Sequence, residues 1–89
     1  MRAVITVVGK DTMGIVAKVS NFCADNGVNV MDVSQTILHE MFCMIMMVDA
    51  SKMQLPFAEF SDNIKAYGEK EGLKIHVMHE DIFNSMHRI

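Results

Sequence analysis

The alternation of apolar and polar positions along this chain predicts a series of short strands and helices. Residues 3–8 form an almost continuous run of apolar, mostly β-branched side chains, which is typical of a central strand buried on both faces. From Met13 the apolar residues recur with a helical period, and Asn26 followed by Gly27 is typical of the end of a helix. The apolar positions of this first helix are Ile15, Val19, Phe22 and Cys23.

The rest of the chain predicts two further strands, a second helix, a fourth strand and a tail. Residues 28–38 and 41–49 read as strands, and the short turn at His39 and Glu40 makes them antiparallel. Pro56 suits the first turn of a second helix, which Gly72 ends. Residues 73–79 alternate as a fourth strand, and the tail, residues 80–89, has the helical spacing of a short helix that docks on the rest. The second helix presents Phe57, Phe60, Ile64 and Tyr67 on one face.

The order β-α-β-β-α-β predicts an α+β, ferredoxin-like fold. Each helix connects two strands, and right-handed crossovers place both helices on one face of an antiparallel four-stranded sheet. The expected strand order is 4-1-3-2, with the two most apolar strands, the first and the third, in the centre. We expect one domain over residues 1–89, with its core in residues 2–79.

The third strand is apolar on both faces, whereas the two helices cover only one face of the sheet. Two explanations remain open for the other face: the C-terminal tail folds across it, or the chain associates with itself, either face to face or edge to edge. Methionine suits a self-association surface because it repacks easily, so we expect a homo-oligomer, with a dimer favoured. The apolar residues concerned are Met41, Phe42, Met44, Ile45, Met46 and Met47.

Composition excludes several classes of function. The 89 residues carry a net charge of −3 and only eight scattered Lys and Arg residues, so no basic face for nucleic acid is expected. The two cysteines, Cys23 and Cys43, form no CxxC motif and suit a reducing compartment. The sequence shows neither a signal-type N-terminus nor an apolar run near the roughly 18 residues of a membrane span, so we expect a cytoplasmic protein without a membrane partner.

The most informative segment is residues 9–14, between the first strand and the first helix. Gly9 lets the chain leave the sheet with any φ, and Asp11 and Thr12 are both residue types that cap helices. Gly14 either permits close packing of helix and strand or leaves room for a ligand at the first helical turn, where exposed N–H groups and the helix dipole favour a carboxylate. Asp11 either caps the helix or contacts a ligand amine.

Asn29 opens the next strand, where it is either a turn residue or a group whose amide both donates to and accepts from a ligand. Together with residues 9–14 it outlines a candidate ligand site around one loop.

Catalytic and metal chemistry find little support. None of the five serines occurs in a nucleophile motif, and neither cysteine has an obvious partner base. His76 and His79 lie three apart on a strand and face opposite sides, so a metal site needs His87 or another subunit. We therefore expect no enzyme activity, no metal and no cofactor.

Two motifs resemble the ACT domain, a small-molecule-binding regulatory module of amino-acid metabolism. They are G-x-D-x-x-G-hydrophobic at residues 9–15 and G-hydrophobic-N-hydrophobic at residues 27–30. The chain looks similar to stand-alone bacterial ACT proteins of the glycine-cleavage-system repressor type, although Met13 stands where family members often have proline. The resemblance implies side-by-side pairing through the first helix and second strand, with ligand sites at the interface. The residues that it implicates in ligand binding are Lys10, Asp11, Thr12, Met13, Gly14, Ile15 and Asn29.

Two functions are thus predicted. The first is a non-catalytic regulatory module that senses an amino acid or similar small metabolite between subunits and changes the oligomer or its affinity for a partner protein. The alternative is an interaction or scaffold module of the same fold without a small-molecule ligand, in which the methionine-rich strand and the tail dock a partner.

Overall fold

The computed structural model describes residues 1–10 and 13–86. The predicted order of elements is confirmed, and a short third helix follows it. The elements are β1 (Arg2–Gly9), α1 (Ile15–Asp25), β2 (Asn29–Leu38), β3 (Met41–Asp49), α2 (Phe57–Lys70), β4 (Lys74–His79) and α3 (Glu80–Met86).

The four strands form one antiparallel sheet in the order β2-β3-β1-β4, which confirms the predicted topology. β1 and β3 lie in the centre, where Ile5 pairs with Met46 and Val7 with Met44. A bulge at Met31 interrupts the pairing of β2 with β3. The two most apolar strands therefore hold the central positions, where each pairs with a strand on both sides.

The core lies on one face of the sheet, beneath α1 and α2. The alternate residues Ile5 and Val7 of β1 are fully buried there, together with Val19 of α1 and Phe60 of α2. Both helices thus pack on the same side, as predicted. Cys23 is buried in this core, and burial raises the pKa of its thiol to about 11, so its role is that of a small apolar side chain.

The opposite face is only partly covered. α3 contacts β1 and β4, and Val4, which points away from α1 and α2, is nevertheless fully buried. Arg2 Nε lies 3.0 Å from Glu80 Oε2, which ties α3 to the first strand. Over β3 the face remains open, since Ile45 is 44% exposed. The tail therefore covers one half of this face, and residues 87–89, including His87, lie outside the described residues.

Two expectations near the first loop need correction. α1 begins at Ile15 rather than Met13, and Gly14 holds its N-cap position. Gly9 does not adopt a positive φ, so freedom of φ does not explain it. Instead, a Cβ at Gly9 would collide with Cδ2 of Leu73, which shows that the glycine permits close packing between β1 and the start of β4.

Candidate functional site

The first loop leaves the sheet at the end where Gly9 of β1 pairs with Phe42 of β3. Lys10 and Met13, on either side of the loop, are both exposed to solvent. Asp11 and Thr12 lie outside the described residues, so their capping and ligand-binding roles stay predictions.

Gly14 owes its place to backbone conformation. Its φ is +69°, in the left-handed region that L side chains rarely adopt, and no heavy atom of the described residues lies within 4 Å of a Cβ built there. Among residues 1–10 and 13–86, none packs closely against this position, so the close packing of helix and strand expected at Gly14 is not seen there. The Gly14 carbonyl accepts a hydrogen bond from the Lys18 N–H at 2.9 Å.

The N-terminal turn of α1 presents backbone donors. The first N–H groups of a helix have no intrahelical acceptor, and no acidic residue lies in the first turn of α1 to offset the positive end of its dipole. The side chain of Ile15 is buried in the core, so this residue can offer a ligand only its backbone N–H.

Asn29 lies at the other end of the sheet. It pairs with Asp49, which pairs in turn with Arg2 at the start of β1, whereas the loop follows Gly9 at the end of β1. Arg2 and Gly9 are seven residues apart, which at about 3.3 Å per residue is roughly 23 Å. The expectation that Asn29 joins the loop is thus wrong within one chain, because α1 carries the chain from one end of the sheet to the other.

A cleft of about 320 Å³ surrounds Asn29 instead. It lies where β2 begins and β3 ends, and Asn29 is exposed in it. Gly27, whose φ is +74°, brings its backbone close to the carbonyl of Lys52. The lining residues are Gly27, Asn29, Asp49, Ser51 and Lys52.

Asp49 carries the fixed negative charge of this cleft. Its Oδ1 accepts a hydrogen bond from the Ser51 backbone N–H at 2.9 Å. Hydrogen bonds from the backbone and side chain of Ser51 hold the pKa of the Asp49 carboxyl below its ordinary value. Sequence reasoning missed Asp49; the pattern that marks it is an aspartate at a strand end two residues before a serine.

β2 forms an open edge of the sheet. Its side away from β3 has no strand partner among the described residues, and most of its residues are exposed. Ile37 and Leu38, at its C-terminal end, are 63% and 58% exposed. This strand therefore offers unpaired backbone groups and apolar side chains to another chain.

Other site chemistry is sparse in residues 1–10 and 13–86. No group of three or more His, Cys, Asp or Glu side chains there is arranged to hold a metal ion. None of the helices in this part of the chain combines the length and the apolar character needed to cross a membrane.

An antiparallel sheet in the order β2-β3-β1-β4, with α1 and α2 on one face, defines the class of ferredoxin-like α+β domains. A family model of the ACT domain matches residues 2–78, and the chain belongs to the ACT domain family.

Comparison with known proteins agrees with this assignment. A UPF0237 protein from Listeria innocua is 48% identical over 89 residues, covering 100% of both chains. The solved structure of an ACT domain protein from Streptococcus pneumoniae is 42% identical, with a TM-score of 0.84 over 93% of each chain. The crystal structure of a putative glycine cleavage system transcriptional repressor shares the fold, with a TM-score of 0.70, 22% identity, and coverage of 86% of this chain and 44% of that chain.

Proposed function

We propose that this protein is a non-catalytic regulatory module that binds an amino acid or similar small metabolite between two copies of the chain. The observation that carries this proposal is the separation of the two ACT motifs. The first loop and Asn29 lie at opposite ends of the sheet, so one chain cannot bring them together, while β2 offers an open edge for a second chain.

Antiparallel pairing of two β2 strands about a two-fold axis would solve this problem. The start of one β2 then lies beside the end of the other. The end of β2 lies at the same end of the sheet as Gly9, because Ile37 pairs with Phe42 and Phe42 with Gly9. The loop that leads to α1 also leaves the sheet at this end, so the pairing would place Asn29 of the partner subunit at the end of the sheet where the first turn of α1 begins. Two equivalent sites result.

The groups gathered in this way suit an amino acid. Backbone N–H groups at Gly14 and Ile15 and the positive end of α1 favour a carboxylate. The Asn29 amide both donates and accepts hydrogen bonds. A ligand that contacts two subunits binds the assembled state better than the separated chains, and it therefore shifts the equilibrium toward assembly. This is a means of regulation without catalysis.

A second candidate is an interaction module without a small ligand. The observation in its favour is the open half of the sheet face over β3, where Ile45 stays exposed beside the half-buried Cys43 and Met47. On this view a partner protein, rather than a metabolite, occupies the surface of the domain.

Thermal unfolding in the presence of each of the twenty amino acids separates the two candidates. A ligand at one hundred times its Kd adds about 2.7 kcal/mol to the free energy of unfolding, which raises the midpoint by several degrees for a domain of this size. Light scattering should give about twice the 10.0 kDa mass of the chain. If no amino acid or related metabolite raises the midpoint, the regulatory proposal fails and the interaction module is favoured.

A further inference from the structure

We propose that α3 is a pH-sensitive strap, which the neutral side chain of His79 holds on the sheet and which protonation of His79 releases. The strap lies on the face opposite α1 and α2, so its release needs no ligand at the first loop. Val4, which is fully buried although it points away from α1 and α2, lies under it. Because Val4 pairs with Met47, release of α3 joins Val4 to the open apolar surface over β3.

α3 has little packing of its own to hold it on the sheet. It is seven residues long, and none of its residues is fully buried. Ile82 and Met86, one turn apart, are 56% and 65% exposed, whereas Phe83 is half-buried. A helix of this length is marginal in water without support from its surroundings. The docked state of α3 therefore depends on the contacts at its N-terminal end.

His79 supplies the N-terminal cap of this helix. Its Nδ1 accepts a hydrogen bond from the backbone N–H of Asp81 at 3.1 Å, which satisfies one of the donors that a helix leaves unpaired in its first turn. A ring nitrogen accepts a hydrogen bond only when it carries no proton. The neutral Nε2–H tautomer of His79 is therefore the form that caps α3.

Protonation of His79 removes this cap and adds a positive charge at the positive end of the helix dipole. The Asp81 carboxylate, whose Oδ2 lies 3.6 Å from Nδ1, attracts the imidazolium, but the Asp81 side chain is 85% exposed, so this ion pair offsets little of the loss. Histidine side chains change charge between about pH 5 and 8. Since the docked state needs the neutral form, docking is favoured above this range and weakens as the pH falls through it.

The other charged groups around the strap come from three elements. Glu80 of α3 pairs with Arg2 of β1, with 3.0 Å between Oε2 and Nε. α2 also packs on β4, and its Lys65 and Glu69 line a cleft beside that strand. Side chains of Arg, Lys and Glu keep their charge in the range where histidine titrates. His79 is thus the group whose charge changes at the first turn of α3.

Hydrogen exchange of the ligand-free full chain, followed by NMR, measures the release of the strap. Each amide rate is divided into the intrinsic rate of an unstructured chain at the same pH, which gives a protection factor. Between pH 8 and pH 5 the protection factors of the α3 amides should fall about 3- to 10-fold, the size expected for a lost N-cap. The protection of Val19, which is fully buried in α1, should stay unchanged.

Two substitutions of His79 separate the cap from its titration. Asparagine places an acceptor oxygen near the position of Nδ1 and does not titrate, so His79→Asn should keep α3 protected and lose the pH dependence. His79→Ala should give low protection of α3 at both pH values. His76→Asn is the matched control, because it removes a histidine from an exposed position on the same strand and should keep the wild-type pH dependence.

Equal protection of α3 at pH 8 and pH 5 in the wild type overturns the proposed strap. A His79→Asn variant that keeps the wild-type pH dependence overturns it as well. A parallel fall in the protection of Val19 shows unfolding of the whole domain instead of release of α3, and it too contradicts the strap. All of these measurements are made without an amino acid, so their outcome is separate from that of the proposed function.

Discussion

Three glycines adopt the left-handed conformation, but their surroundings differ. Gly14, Gly27 and Gly72 have φ values of +69°, +74° and +76°. Within the part of the chain that the structure describes, a Cβ at Gly14 or Gly72 would meet no heavy atom within 4 Å, whereas a Cβ at Gly27 would lie 2.9 Å from the Lys52 carbonyl oxygen. At Gly27 two requirements coincide, the backbone conformation and the close approach of the next loop, and both shape the cleft that holds Asn29.

Gly27→Ala and Gly72→Ala form a matched pair at the residue scale. Both substitutions cost about 1–2 kcal/mol for a left-handed alanine, since the two φ values are nearly equal. Gly27→Ala should cost about 1–3 kcal/mol more, because the Lys52 backbone must move away from the new methyl group. Urea unfolding of the two variants measures this difference. Equal free energies of unfolding would contradict the close approach at Gly27.

At the scale of the element, β2 lacks the devices that normally protect an edge strand. Natural edges carry lysines, prolines or covering loops that prevent pairing with another chain. The ten residues of β2 include neither lysine nor proline, and Asp32 is their single charged residue. The strand is therefore suited to pairing, and the bulge at Met31 leaves the stretch from Asp32 to Leu38 in regular register with β3.

Ser34→Lys tests this pairing. Ser34 lies at the middle of β2 and is exposed. If two β2 strands pair about a two-fold axis at this position, the lysines introduced in the two subunits lie opposite each other and repel. We expect the mass measured by light scattering to fall toward 10.0 kDa at low ionic strength. Ser34→Ala, which adds no charge, should keep the wild-type mass. If Ser34→Lys also keeps that mass, the chain does not associate through β2.

For the whole molecule, the proposal makes assembly and ligand binding one equilibrium. A site that contains the first turn of α1 from one chain and Asn29 of the partner subunit exists only in the assembled state. By linkage, a ligand that tightens association must itself bind more tightly to the associated chains, by the same factor.

The coupling predicts two results from analytical ultracentrifugation and thermal unfolding. The amino acid that raises the unfolding midpoint most should also lower the dissociation constant of the dimer. Ser34→Lys should lose the rise in midpoint together with the dimer. A monomeric Ser34→Lys variant that keeps the full rise would show that the ligand site lies within a single chain.

Much of the fold follows from local pattern, and of the two errors near the first loop one has a distant cause and one a local cause. The strand order was correct because short connections and crossover handedness leave few topologies for β-α-β-β-α-β. The role of Gly9 was misjudged because its neighbour, Leu73, is distant in sequence. The sequence pattern predicts that α1 begins at Met13, because Met13 continues the apolar spacing of the helix. The helix begins two residues later, at Ile15, because Gly14 has a positive φ that is not helical.

The sequence by itself determined the elements, their order and the two motifs, because hydrophobic period, glycine and proline act within a few residues of themselves. Only the tertiary structure decided where these motifs lie. Asn29 lies at the far end of the sheet, beside Asp49, and α3 buries Val4 on the face that the helices leave open. Such placements depend on the pairing of β2, β3 and β1 over long sequence separations, and register across strands has no counterpart in local periodicity.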